Sequence, residues 1–239
     1  MKHVWILACV LSLTGCITVK ESDNSDLKSD PVEMAESRIA LGLGYLENGS
    51  MIKARENLEK AMQHAPHYYR SQLSMAHYFE TVGETDSARD TYRAALRDHP
   101  KNGNVLNNYG TFLCKHGEYQ QADKYFNRAV EQPYYYLISA SYENAAFCSL
   151  KSGDQEKAAY YFKRAVDHDP TRVRSLLQLA KLEIERGDYT EARIKLMAFH
   201  QRYGYQKASL QLLIELEEKA GNKALEKKYQ QALDALSPS

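Results

Sequence analysis

Four cysteines, at positions 9, 16, 114 and 148, carry the widest chemical range in this 239-residue chain. A thiol can accept a lipid, close a disulfide, bind a soft metal or attack an electrophile, and its surroundings decide which. Metal binding lacks a donor set, because no Cys-x-x-Cys or His-Glu-x-x-His occurs and the eight His are scattered. A nucleophilic Cys148 would need a base held beside it, and the sequence supplies none. Phosphate-binding Walker loops and Gly-x-Ser-x-Gly elbows are absent. Ser25-x-x-Lys28 has an acylase-like spacing, but it lies in a polar stretch that cannot orient it. No catalytic residue, cofactor, metal or small-molecule substrate is expected. Lys plus Arg number 31 and Asp plus Glu number 31, a balance that argues against coating nucleic acid.

The first two cysteines belong to the N-terminus. Lys2 and His3 precede an apolar run from Val4 to Leu13. Ten residues cannot cross a hydrocarbon core, which needs about 20 in a helix, so 1–15 reads as a signal peptide. Leu13-Thr14-Gly15-Cys16 resembles the bacterial lipobox. That resemblance implies cleavage before Cys16, a diacylglyceryl group on its sulfur and acylation of its amine. Residue 17 is Ile rather than the Asp of many inner-membrane lipoproteins, which implies the periplasmic face of the outer membrane. Residues 16–33 are expected to be a flexible polar tether, with the folded domain at 34–236. The tether would hold that domain roughly 20 Å from the bilayer.

Beyond the tether the chain is one unit repeated. Gly stands at 49, 83, 117, 153, 187 and 221, at intervals of 34, 34, 36, 34 and 34 residues. Five residues after each of the first five comes Ala, and seven before comes Gly or Ala: 42, 76, 110, 146 and 180. Such spacing predicts two helices around a Gly turn, packed closely where the small residues meet. Leu58, Tyr92, Phe126, Phe162 and Leu196 fill the next space outward, and Pro66, Pro100 and Pro170 close their units. The pattern resembles the tetratricopeptide repeat, which implies an all-α, right-handed α-solenoid. Five good repeats are followed by a degenerate sixth, in which Glu226 replaces the Ala and a charged second helix caps the array. Two extra residues lengthen the third unit around Pro133.

The first helices should line a concave groove suited to an extended peptide or a partner helix. By register it carries Arg70, Leu73 and His77 from the second unit, and Asn104, Asn107 and Thr111 from the third. The fourth unit adds Glu143 and Phe147, and the fifth adds Arg174. Asn108 and Asn144 lie one place further on, where they either tie a bound backbone or link neighbouring helices. Much of the Tyr excess, 18 against one Trp, falls at packing positions and unit junctions. Tyr134, Tyr135 and Tyr136, beside the insertion, are the best candidates for an aromatic contact surface. Cys114 and Cys148 fall near the ends of adjacent first helices, where they either bridge or remain two buried thiols.

Taken together, these features look like the PilF/PilW lipoproteins of type IV pilus biogenesis. The residues behind the likeness are the lipobox, Asn107-Asn108-Tyr109-Gly110-x-Phe112-Leu113-Cys114, the Pro133-Tyr134 loop and Asn144-x-x-x-Cys148. The resemblance implies a pilotin: an outer-membrane lipoprotein that localises the type IV pilus secretin and promotes its multimer assembly. The alternative is a tethered repeat scaffold for another envelope complex, such as the peptidoglycan synthesis machinery.

Overall fold

A computed structural model describes residues 30–236. The signal peptide, Cys16 and most of the tether lie outside these residues. Within them the chain forms six helical hairpins. The first three are α1 (Pro31–Glu47) with α2 (Met51–His64), α3 (Tyr69–Thr81) with α4 (Thr85–Asp98), and α5 (Gly103–Lys115) with α6 (Tyr119–Val130). The second three are α7 (Ile138–Lys151) with α8 (Gln155–His168), α9 (Val173–Arg186) with α10 (Tyr189–Tyr203), and α11 (Lys207–Lys219) with α12 (Lys223–Leu236). Helix α1 begins at Pro31, inside the segment expected to be tether; proline suits a first helical turn, where its missing N–H has no partner to lose. No described helix is long and apolar enough to cross a membrane.

Each hairpin turns on its glycine. The six turn glycines have φ between 73° and 88°, a region that side-chain-bearing residues rarely enter. Two helices can then cross at their small residues. Ala54, Ala88, Ala122, Ala158 and Ala192 are fully buried, as are Ala76, Ala146 and Ala180 opposite them. A Cβ on Gly42 would come within 2.6 Å of Leu58, and one on Gly110 within 3.0 Å of Phe126. Phe126 and Phe162 fill the space beside the crossing, at 2% and 0% exposure. Each such ring contributes roughly 2–3 kcal/mol of burial. The array is therefore a tetratricopeptide-type α-solenoid of about six repeats.

A second small-residue register joins one hairpin to the next. Ser71, Ser141, Ser175 and Ser209 recur near the starts of α3, α7, α9 and α11, and all are fully buried. Their hydroxyls bond across the junction. Ser175 donates to Glu143 at 2.7 Å, Ser209 pairs with His200 at 2.8 Å, and Ser71 reaches the Ala61 carbonyl at 3.4 Å.

Tyrosines at packing positions do more than turn their hydroxyls to water. Tyr92 donates to Glu80 at 2.5 Å, Tyr161 to Asp123 at 2.7 Å, and Tyr68 to Glu36. Burial, reinforced by these carboxylates, raises the phenol pKa of Tyr92 and of Tyr161, and that of Tyr68 to about 12.

The array closes on a buried ion pair. Glu217 on α11 has no exposed surface and receives two hydrogen bonds from Arg193 on α10, at 2.7 and 2.8 Å. Beyond it, α12 buries Tyr229 and leaves Lys227 and Lys228 exposed. Arg193→Met should strand the Glu217 carboxylate and cost roughly 3 kcal/mol, at the low end for a buried pair because Arg193 is partly exposed. Adding Glu217→Leu should restore most of the loss, measured by chemical denaturation; an additive double variant would refute the coupling.

Candidate partner-binding cleft

The first helices bring several expected groove residues to one place. Arg70, Leu73 and His77 on α3 face Asn104 and Asn108 on α5, across a cleft of about 430 Å³. Leu43 of α1 and Tyr69 extend its apolar side, and Tyr136 borders it from the loop between α6 and α7. Arg70 is held by an ion pair to Glu36 at 2.9 Å, while His77 is exposed. The cleft is thus part apolar, part cationic and part amide.

The loop is placed by Tyr135. This residue is 7% exposed, so it is not the contact residue the sequence suggests. Its ring lies against Gly103, where a Cβ would come within 2.4 Å, and its hydroxyl pairs with Ser141 at 2.7 Å. Burial raises its pKa, partly offset by that bond. With Tyr135 turned inward, Tyr134 and Tyr136 stand out at 101% and 82% exposure. Tyr134 has φ of 62°, the one positive value at a non-glycine among the described residues, a backbone cost carried at an exposed aromatic.

Other expected groove residues serve the array itself. Asn107 accepts from Ser141 at 2.9 Å and from Asn144 at 3.1 Å, tying α5 to α7. Thr111 bonds the Asn107 carbonyl on its own helix. Glu143 is 6% exposed, so the register position that seemed open to a partner is internal. It is covered by Ser175, by Arg172 at 3.4 Å and by Arg174 at 3.9 Å, all from the next unit. The Arg174 guanidinium lies 4.6 Å from the centre of the Phe147 ring, which meets Phe162 edge-on. These residues form a separate patch along the same face. Cys114 on α5 and Cys148 on α7 face each other with Cα atoms 5.8 Å apart, within reach of a bridge.

Leu43 and Ser74 line the cleft without having been expected there, although register could have found both. Leu43 stands 34 residues before His77, and Ser74 stands 34 before Asn108. Among the described residues no three His, Cys, Asp or Glu side chains gather as a metal site.

Hairpin geometry, small-residue crossings and a first-helix cleft define a tetratricopeptide-repeat protein, and residues 73–136 and 149–196 each match that family. The type IV pilus assembly protein PilF of Pseudomonas aeruginosa is 33% identical over 215 residues, spanning 89% of this chain and 84% of that protein. A solved structure from the functional characterisation of Pseudomonas aeruginosa PilF superposes with a TM-score of 0.72 at 30% identity, covering 87% of this chain and 94% of that one. The crystal structure of PilW, a widely conserved type IV pilus biogenesis factor, shares the fold at a TM-score of 0.70 and 24% identity, covering 84% and 92%. The chain belongs to the PilF/PilW family.

Gly103→Ala should displace the Tyr135 ring and lower stability by about 1–3 kcal/mol. A fluorophore at position 136 should gain mobility in that variant; an unchanged anisotropy would show that Tyr135 does not set the loop.

Proposed function

We propose that this chain is a lipid-anchored binding module that brings the type IV pilus secretin to the outer membrane and promotes its assembly. One observation carries the proposal: kinship over most of both chains to a protein named for type IV pilus assembly. The first-helix cleft supports it, since it offers contact chemistry of a binding kind. The lipobox-like Cys16 supplies the anchor, and several acyl chains at about 0.8 kcal/mol per methylene make attachment stable. Anchoring raises the local concentration of the module at the membrane where the secretin must assemble.

The test is a deletion strain, complemented with wild-type protein or with Cys16→Ala. Deletion should abolish heat-resistant secretin multimers and surface pili, and Cys16→Ala should leave secretin away from the outer membrane. Unchanged multimers with altered peptidoglycan cross-linking would overturn the proposal and favour the peptidoglycan-synthesis scaffold.

We also propose that Cys114 and Cys148 are bridged in the oxidising envelope. A loop closed across 34 residues adds roughly 3–4 kcal/mol. Reduction should lower the unfolding midpoint of the wild type and leave the Cys114→Ser/Cys148→Ser variant unmoved; free thiols in protein purified without reductant would contradict the bridge.

A further inference from the structure

We infer that a pocket between α6 and α7 receives one aromatic ring with a cation beside it, as an aromatic residue next to a lysine or arginine of a partner chain would supply. The pocket is separate from the cleft between α3 and α5, and its occupancy does not depend on which envelope complex the chain serves. Its volume is about 350 Å³, at the small end of ligand sites, which favours a single ring over a length of polypeptide.

The pocket exists because α7 is small where its counterparts are large. Five residues before their turn glycines, α3, α5, α9 and α11 carry Tyr78, Phe112, Leu182 and Leu216, all buried. At that position α7 carries Cys148. Three residues earlier, Met75, Tyr109, Leu179 and Leu213 are answered on α7 by Ala145. A bridge to Cys114 would account for the cysteine. It would not account for Ala145, nor for Ser149 where α5 has Leu113. Cys148, Ala145 and Ser149 all line the pocket, with Phe126 of α6 opposite them.

The preceding junction shows what such a space holds. There the Phe112 ring lies 5.2 Å from that of Tyr92, centre to centre, and the Arg89 guanidinium stands 5.0 Å from the Phe112 ring centre. A ring beside a cation is favourable beyond the area it buries. In the next unit Phe126 takes the place of Tyr92 and Asp123 that of Arg89, each 34 residues later, while Cys148 stands where Phe112 stood. The wall keeps its aromatic face, loses the ring packed on it and reverses its charge. An incoming ring would pack on Phe126, and a cation beside that ring would meet a carboxylate. The rim agrees, since Asp123 and Asp154 oppose the single charge of Lys157. Asp123 accepts from Lys157 at 3.3 Å and from Tyr161 at 2.7 Å, and a carboxylate can accept further bonds. The floor makes no polar demand, because Ser149 and Ser152 donate to carbonyls of their own helix. An apolar floor under an acidic rim selects a ring with a cation over a ring with an anion.

The test places the mature lipoprotein in lipid nanodiscs with carbon-13 in its alanine methyls and follows the Ala145 methyl resonance, which a docked ring would shift. The probe is the acetylated tripeptide amide Gly-Phe-Lys, compared at low ionic strength with Gly-Phe-Glu and Gly-Ala-Lys. The Ala145 resonance should move with Gly-Phe-Lys at least threefold more tightly than with Gly-Phe-Glu, and should stay in place with Gly-Ala-Lys. Ser149→Leu, which restores the residue type of Leu113, should abolish the response without lowering the melting temperature. Asp123→Asn should reduce the preference for lysine over glutamate and keep the response to the ring. Equal affinity for the two charged peptides, a shift that survives Ser149→Leu, or no shift at millimolar peptide would each overturn the inference. A response to 2-phenylethylammonium with none to the peptide would overturn the partner chain as the source of the ring.

Discussion

The close crossing of two helices at a Gly or Ala pair is the constraint on which the rest of the array depends. With no Cβ at position 42 or 110, the second helix can bring Leu58 or Phe126 directly against the first. That contact fixes the angle of each hairpin, and the fixed angle allows the next hairpin to stack at a constant offset. Constant offset in turn places residues 34 apart in neighbouring rows of one surface, so that α3 and α5 face each other with Ser74 opposite the Asn104–Asn108 pair. The cleft is a consequence of the crossing, not an independent feature.

The crossing was legible in the sequence for the same steric reason. Large residues are barred from it in each of the first five units, so Gly42, Ala76, Gly110, Ala146 and Ala180 stand out at a fixed distance from their turn glycines. The serine register at 71, 141, 175 and 209 is equally regular but less visible, because Ser is common on exposed helix faces and Val105 interrupts the series. Arg70, Leu73, His77, Asn104 and Asn108 reached the cleft as their register indicates.

Two positions went otherwise because register says which way a residue points, and not what reaches it from the next unit. Glu143 occupies a groove position yet is buried, since Arg172 and Ser175 of the next hairpin close over it. Tyr135 lies in the two-residue insertion, where the register is broken. Its inward turn depends on the missing side chain of Gly103, 32 positions earlier. The insertion then acquires a physical role: one tyrosine locks the loop while its neighbours are presented outside, one of them at the border of the cleft. The same face thus divides into a part that ties neighbouring hairpins together, around Glu143 and Asn107, and an open cleft between α3 and α5.

We propose that the first-helix cleft is where the pilus secretin is held. The most direct measurement is in-cell photo-crosslinking of the membrane-anchored chain, with the photoreactive residue at position 136 in one strain and at the exposed Ile194 of α10 in another. Secretin recovered from position 136 and absent from position 194 is the predicted result. Secretin recovered from position 194 alone, or from neither position while its multimers still form, would contradict the account.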